Sequence, residues 1–304
     1  MSKPLSASFF SKRQHLTFTA IAVTSIRLLL CPVATVSAEE STASPNGLLT
    51  VSLSHTKSSG SYGLDDDTII TLTPLTVEYT QGPWFASVSI PFIRINGSGA
   101  VTMGATSPVQ ITNATAKGMP KRSGIGPANM GHNQNTTNHH QRSTISGIGD
   151  IAVGGGYGFF PFADSAILIE LSSRVKFPTA DEDKGLGTGE PDYSLQWALS
   201  LSDGRLQPFV NVGYTITGDP PLIAFNDILH GSLGATLYLT PDITATGAYS
   251  FQQKATDTVD NFQESSLTLE WALTKQWRTW ATFAAGLSDA TPDWSSGAGL
   301  AVSF

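Results

Sequence analysis

From about residue 47 to its last residue the chain repeats one pattern, in which apolar and polar side chains alternate over segments of ten to twelve residues. In the final segment, WSSGAGLAVSF, Trp294, Ala298, Leu300, Val302 and Phe304 share one face, and Ser295, Gly297, Gly299, Ala301 and Ser303 share the other. In SSLTLEWALT, Leu267, Leu269, Trp271 and Leu273 oppose Ser266, Thr268, Glu270 and Ala272. YSLQWALSL divides in the same way, with Tyr193, Leu195, Trp197 and Leu199 against Ser194, Gln196, Ala198 and Ser200. A period of two places the two classes on opposite faces of an extended strand. Helical spacing is absent, so the fold class is all-β.

About twelve such strands are expected, at 47–57, 68–80, 84–95, 149–160, 165–176, 191–201, 206–217, 228–239, 242–253, 264–274, 277–287 and 294–304. Their connections alternate in length. QGP, PFAD, SDGR, TP and KQ are tight turns, and the intervening connections are longer. Short periplasmic turns, long external loops, an even strand count and a C-terminal Phe on the apolar face predict an antiparallel transmembrane β-barrel of about 12 strands. The rival is a secreted β-sandwich or soluble barrel, whose apolar face would be buried core. Trp84, Tyr193, Trp277 and Trp294 near strand ends favour the membrane, where an aromatic girdle belongs. Charged residues make up only 13% of the chain, against roughly 25% in an average soluble domain. Ser, Thr, Gly and Asn fill the polar face instead.

The N-terminus differs in kind. Lys3, Lys12 and Arg13 precede an apolar run from Leu16 to Ile26, and Val36-Ser37-Ala38 offers a small-residue cleavage site before Glu39. Residues 1–38 are therefore expected to be a cleaved signal peptide, and residues 39–304 the barrel in the cell outer membrane of a Gram-negative envelope. Cys31, the single cysteine, would leave with the leader, which excludes disulfides and thiol catalysis from the mature chain. The mature chain would carry thirteen basic residues against 24 acidic ones, a net charge of −11. That balance argues against a nucleic-acid partner. After residue 39 no apolar run approaches 18 residues, so no transmembrane helix is expected.

Residues 97–147 lack periodicity and exceed ordinary loop length. They form either a long extracellular loop or a segment folded into the lumen as a constriction.

By strand parity, Glu170, Arg174 and Lys176 point inward with Asp192, Glu270 and Arg278, as lumen or selectivity residues. Charges of both signs either line a polar channel or pair across a narrow barrel and fill it. Asp65-Asp66-Asp67, Asp181-Glu182-Asp183, Asp257 and Asp260 fall in outer loops, where carboxylates can hold divalent cations, alone or bridging lipopolysaccharide. Asp181, Glu182 and Asp183 are the candidate metal ligands; solvated acidic loops are the plainer alternative. His132, His139 and His140 suggest a transition-metal tract or a flexible one. His230 and Ser232 lie two apart on one strand face with Asn211 on the adjacent strand, an order resembling the His-x-Ser pair of outer-membrane phospholipase A. Their parity with Thr236 and Tyr238 turns them inward, whereas that family's pair faces lipid.

The stretch KFPTADEDKGLGTGEPD (176–192) contains GLGTG, but a strand follows it where a phosphate-cradling loop would open a helix, so the phosphate-loop reading fails. Gly147-Ile148-Gly149-Asp150, Phe177-Pro178-Thr179 and Leu186-Gly187-Thr188-Gly189 resemble the marks of the MetA-pathway phenol-degradation family of barrel transporters, over roughly residues 146–304. Ala180 stands where that family usually has Gly. The resemblance implies a small porin-like barrel moving hydrophobic or aromatic compounds, and nothing in the sequence requires a cofactor. Outer-membrane lipid and lipopolysaccharide are its expected partners. A lipid hydrolase using His230 and Ser232 and a structural or surface-interaction barrel stand as alternatives.

Overall fold

The computed structural model describes residues 47–64, 66–97, 101–110, 143–162, 165–220 and 223–304. Its strands are β1 (Leu48–Gly60), β2 (Thr68–Gln81), β3 (Trp84–Gly97), β4 (Val101–Met103), β5 (Pro108–Gln110), β6 (Ser143–Ile148), β7 (Ile151–Phe159), β8 (Ile167–Phe177), β9 (Asp192–Leu201), β10 (Leu206–Ile216), β11 (Ile228–Tyr238), β12 (Ile243–Gln252), β13 (Phe262–Ala272), β14 (Trp277–Gly286) and β15 (Trp294–Ser303). All but β4 and β5 join one antiparallel sheet. The sheet closes on itself because β1 pairs with β15, from Thr50 opposite Ser303 to Ser59 opposite Trp294. Strand β3 pairs with β6 at its outer end and with β7 at its inner end, so β6 and β7 fill one position in the wall. The barrel therefore has twelve strand positions.

The outward face is apolar over most of its height. Leu195, Trp197 and Leu199 on β9, Val210 and Val212 on β10, and Leu267, Leu269 and Trp271 on β13 are all exposed. A continuous apolar exterior of this kind is satisfied by lipid, not water. Trp84, Tyr193, Trp277 and Trp294 project from that face at strand ends, as a girdle requires. The inward face is rich in hydroxyls that bond across strands: Thr236 to Thr246 at 2.8 Å, Thr268 to Thr282 at 2.9 Å, and Ser194 to Thr215 at 2.8 Å. The soluble sandwich, whose apolar face would be covered, does not describe this molecule.

The fourth strand departs from expectation. It begins at Ser143, not at 149, and breaks at Gly149-Asp150. The Gly149 N–H still donates to the Pro91 carbonyl at 2.8 Å. Pro91 has no N–H to return, so the ladder is interrupted there. The break turns the Asp150 carboxylate into the barrel.

Within 97–147, residues 101–110 are described and are folded inward. Strands β4 and β5 form a hairpin whose residues are buried from Val101 to Val109. Met103 N and Thr102 Oγ1 both donate to the Gly185 carbonyl, at 3.2 and 3.0 Å, and the inward Gln252 Nε2 donates to Ser107 Oγ at 3.0 Å. The hairpin thus lies inside the outer mouth, tied to the β8–β9 loop and to β12.

Candidate functional site: the lumen and its outer mouth

The family-like marks converge on one buried cation. Lys176, inward at the outer end of β8, places Nζ 2.8 Å from Asp150 Oδ2 and 2.7 Å from Asp192 Oδ2. It also donates to Thr188 Oγ1 at 3.1 Å. Asp150 Oδ1 accepts from Ala180 N and Asp192 Oδ1 from Gly218 N, each at 2.9 Å. Thr179 Oγ1 accepts from Ile151 N and donates to the Gly149 carbonyl. A Cβ on Gly187 would come within 2.6 Å of Asp150 Oδ2 and 2.8 Å of the Ala180 methyl, which is why the loop needs glycine there. The 176–192 stretch is therefore folded back and pinned to the wall. Beside the network, Tyr62, Ile70, Leu72, Ile93, Ile95, Val101, Met103 and Leu186 form an apolar cluster between wall, hairpin and loop. Burial holds the Tyr62 phenol well above the usual tyrosine range.

Glu170, Arg174, Lys176, Asp192, Glu270 and Arg278 occupy inward positions at three different heights, not one ring. Lys176 and Asp192 sit at the outer end, bound to each other and to Asp150. Glu270 and Arg278 sit beside the tight turn between β13 and β14, 3.8 Å apart. Glu170 and Arg174 are inward residues of β8 between those levels, separated by the inward Ser172, and Glu170 is buried. Sequence reasoning missed Glu264, a buried inward carboxylate near the outer end of β13 whose parity with Glu270 was legible.

Asp181, Glu182 and Asp183 do not converge on a cation. Asp181 caps the short 3-10 turn Glu182–Lys184 and pairs with Lys184 at 2.7 Å, and the hydrogen bond from Lys184 holds its carboxyl below the usual range. Among the described residues no group of three His, Cys, Asp or Glu side chains is placed to hold a metal. Asp257 pairs with Lys254 at 3.0 Å. Asp65, His132, His139, His140 and residues 1–38 lie outside the described residues.

The hydrolase constellation does not assemble. Asn211 does reach Ser232, donating from Nδ2 to Oγ at 2.7 Å, while its Oδ1 accepts from Ser232 N at 3.0 Å. His230, however, turns Nε2 to Thr215 Oγ1 at 3.3 Å, and its seat is buried in the inner wall. A serine needs its base within hydrogen-bond reach, and here the base bonds elsewhere.

A second missed feature lies in the inner wall. A Cβ on Gly156 would meet the Phe85 ring at 2.5 Å, and one on Gly234 would meet the Phe209 ring at 2.5 Å; Gly299 is covered likewise by Trp280. Each inward ring covers the glycine opposite it on the adjacent strand. Aromatic rings that cover glycines fill the space a side chain would take on the neighbouring strand.

The profile of the family described as "Putative MetA-pathway of phenol degradation" matches residues 76–304. The chain belongs to this family. No curated protein matches it. The KdgM porin structure superposes with a TM-score of 0.50 at 8% identity, covering 84% of this chain and 99% of that one. The NanC porin gives 0.48 at 13% identity, with 84% and 98% covered. The CymD monoaromatic hydrocarbon channel gives 0.38 at 10% identity, with 84% and 86% covered. At these identities the likeness concerns the fold, that of outer-membrane barrels.

Proposed function

We propose that this family member is an outer-membrane channel selective for small hydrophobic or aromatic compounds. The observation that carries the reading is the lumen wall, where the rings of Phe85, Phe209 and Trp280 cover glycines between rows of hydroxyls. A small aromatic solute can slide over ring faces while its hydroxyl exchanges hydrogen bonds with Thr and Ser side chains. The family's phenol-degradation description and the apolar cluster at the outer mouth support the same substrate class. The β4–β5 hairpin narrows the mouth, so passage is selective. Glu170, Arg174, Glu270 and Arg278 set the preference among charged solutes; Lys176 and Asp192, held by each other, anchor the loop. Export uses a leader at residues 1–38 that is cleaved, leaving 39–304 in a membrane whose outer leaflet is lipopolysaccharide.

The test is swelling of vesicles containing the refolded barrel, comparing phenol with a sugar alcohol of similar size. Faster entry of phenol through the barrel, above its rate in protein-free vesicles, is expected. Equal protein-dependent rates for the two solutes would contradict the reading.

A further inference from the structure

The outward face carries one feature that a lipid-facing wall does not need. On a single rung across β1, β2, β3 and β6, the register places Lys57 opposite Thr71, Thr71 opposite Arg94, and Arg94 opposite Ser146. Each has outward parity: Lys57 follows Leu53 and His55, and Arg94 follows Val88, Ile90 and Phe92, all exposed. Lys57 and Arg94 are thus two strands apart on the same face, roughly 10 Å, with a hydroxyl between them. His55, one rung closer to the membrane centre, bonds Thr73 Oγ1 through Nδ1 at 2.8 Å and adds a polar flank.

The height of this rung is set by the strand itself. Trp84 marks the inner girdle on β3, and Arg94 lies ten residues above it. At about 3.3 Å per residue and a tilt of about 40°, the separation along the barrel axis is roughly 25 Å, the height of the apolar band. Lys57 Nζ lies 6.0 Å from the ring centre of Trp294, which marks the outer girdle on β15. The rung therefore sits where the hydrocarbon ends and the outer-leaflet headgroups begin.

Its charge is also out of pattern. Lys176 at the outer end of β8 and Lys184 and Lys254 in the outer loops each pair with a carboxylate. Among the described residues Lys57 and Arg94 form no ion pair. On a chain with net charge −7, two cations placed on lipid-facing positions call for an anion from the membrane.

We propose that Lys57, Thr71 and Arg94 form a binding site for a phosphate group of an outer-leaflet lipid. Arg94 supplies a forked donor, Lys57 a point charge and Thr71 a hydroxyl between them, a set suited to phosphate oxygens. The lipid's acyl chains then lie on the apolar column beneath, Val51 and Leu53 of β1, Leu75 and Val77 of β2, Val88 and Ile90 of β3. The site assigns lipid contact to this arc of the barrel, in place of the acidic loops, and needs no divalent ion.

The experiment is native mass spectrometry of the refolded barrel with hexa-acylated lipid A bisphosphate, and with the same lipid after removal of its phosphates. The double variant Lys57→Gln, Arg94→Gln removes both charges and leaves shorter polar side chains on an exposed face, and the shift in gel mobility on boiling verifies its fold. The parent barrel should retain the bisphosphate well above the dephosphorylated lipid. At the usual value of a basic residue at an anionic surface, each charge contributes about fivefold, so the double variant should lose about 30-fold in retention. Equal retention of the two lipids by the parent, or undiminished retention by a folded double variant, would overturn the proposal. A barrel carrying Lys275→Gln, changed in a tight turn at the opposite end, should retain the bisphosphate like the parent; a matching loss there would show diffuse charge attraction and would also overturn it.

Discussion

Lys176→Met removes the one cation that two buried carboxylates share. In the parent, Asp150 and Asp192 lie 2.8 and 2.7 Å from Nζ, and all three side chains are almost wholly inaccessible. Each carboxylate keeps one backbone donor after the change, Ala180 N and Gly218 N. Those donors do not neutralise two like charges left facing the same gap. Taking one partner from a buried ion pair costs about 3–5 kcal/mol, and that range is expected here. At a slope of about 2 kcal/mol/M the urea midpoint in lipid vesicles falls by roughly 2 M. The loop 178–190 should also undock, since Thr188 loses its donor and the turn at Ala180 loses a settled acceptor, so limited proteolysis should cut it earlier than in the parent. The triple variant Lys176→Met, Asp150→Asn, Asp192→Asn removes all three charges and should recover most of the loss, because neutral polar groups can bond one another in that space. The reasoning fails if Lys176→Met unfolds within about 1 kcal/mol of the parent with its loop cut at the parent's rate, the two signs of a network that is not coupled to the loop.

Gly187→Val places a branched side chain against Asp150 Oδ2 and Ala180, and should lower stability by roughly 1–3 kcal/mol while freeing the same loop to protease. Gly234→Leu should push the Phe209 ring off the wall into the bore, reducing phenol entry in the swelling assay with heat stability little changed. Glu170→Gln and Arg174→Gln should move the reversal potential in a salt gradient in opposite directions, the first away from cations and the second toward them. The Asp181 carboxyl is depressed by Lys184, so the contact is present above the unfolded carboxyl's titration and is lost as pH falls through the depressed folded one. Lys184→Ala should raise its titration midpoint toward the ordinary aspartate range, read by carboxyl carbon chemical shifts.

The wall was legible in the sequence because its physics is local. A lipid-facing residue every second position fixes each strand and its parity, which is why Leu267, Leu269 and Trp271 point out and Glu264 and Glu270 point in. Register is not local. The pairing of Phe85 with Gly156 and of Trp280 with Gly299 depends on how two strands slide past each other, and nothing within either strand states it. The Lys57–Thr71–Arg94 rung is hidden for the same reason, since each residue alone reads as one polar interruption of an apolar face. The β4–β5 hairpin escaped because three-residue strands show no period, and its apolar side chains are satisfied by Leu186 and Tyr62 from distant loops. At the outer mouth, parity found Lys176 and Asp192. Asp150 lies at a break in its strand, where parity does not apply, and only the family-like Gly-Ile-Gly-Asp run singled it out.

The central claim is a barrel with an aromatic-lined bore narrowed at its outer mouth. Single-channel recording of residues 39–304 in a planar bilayer tests it most directly, alongside a variant in which 101–110 are replaced by a short Gly-Ser linker. The parent should give small discrete steps that phenol reduces, and the variant steps several times larger. Silence from both chains, or steps of the same size from both, would contradict the account.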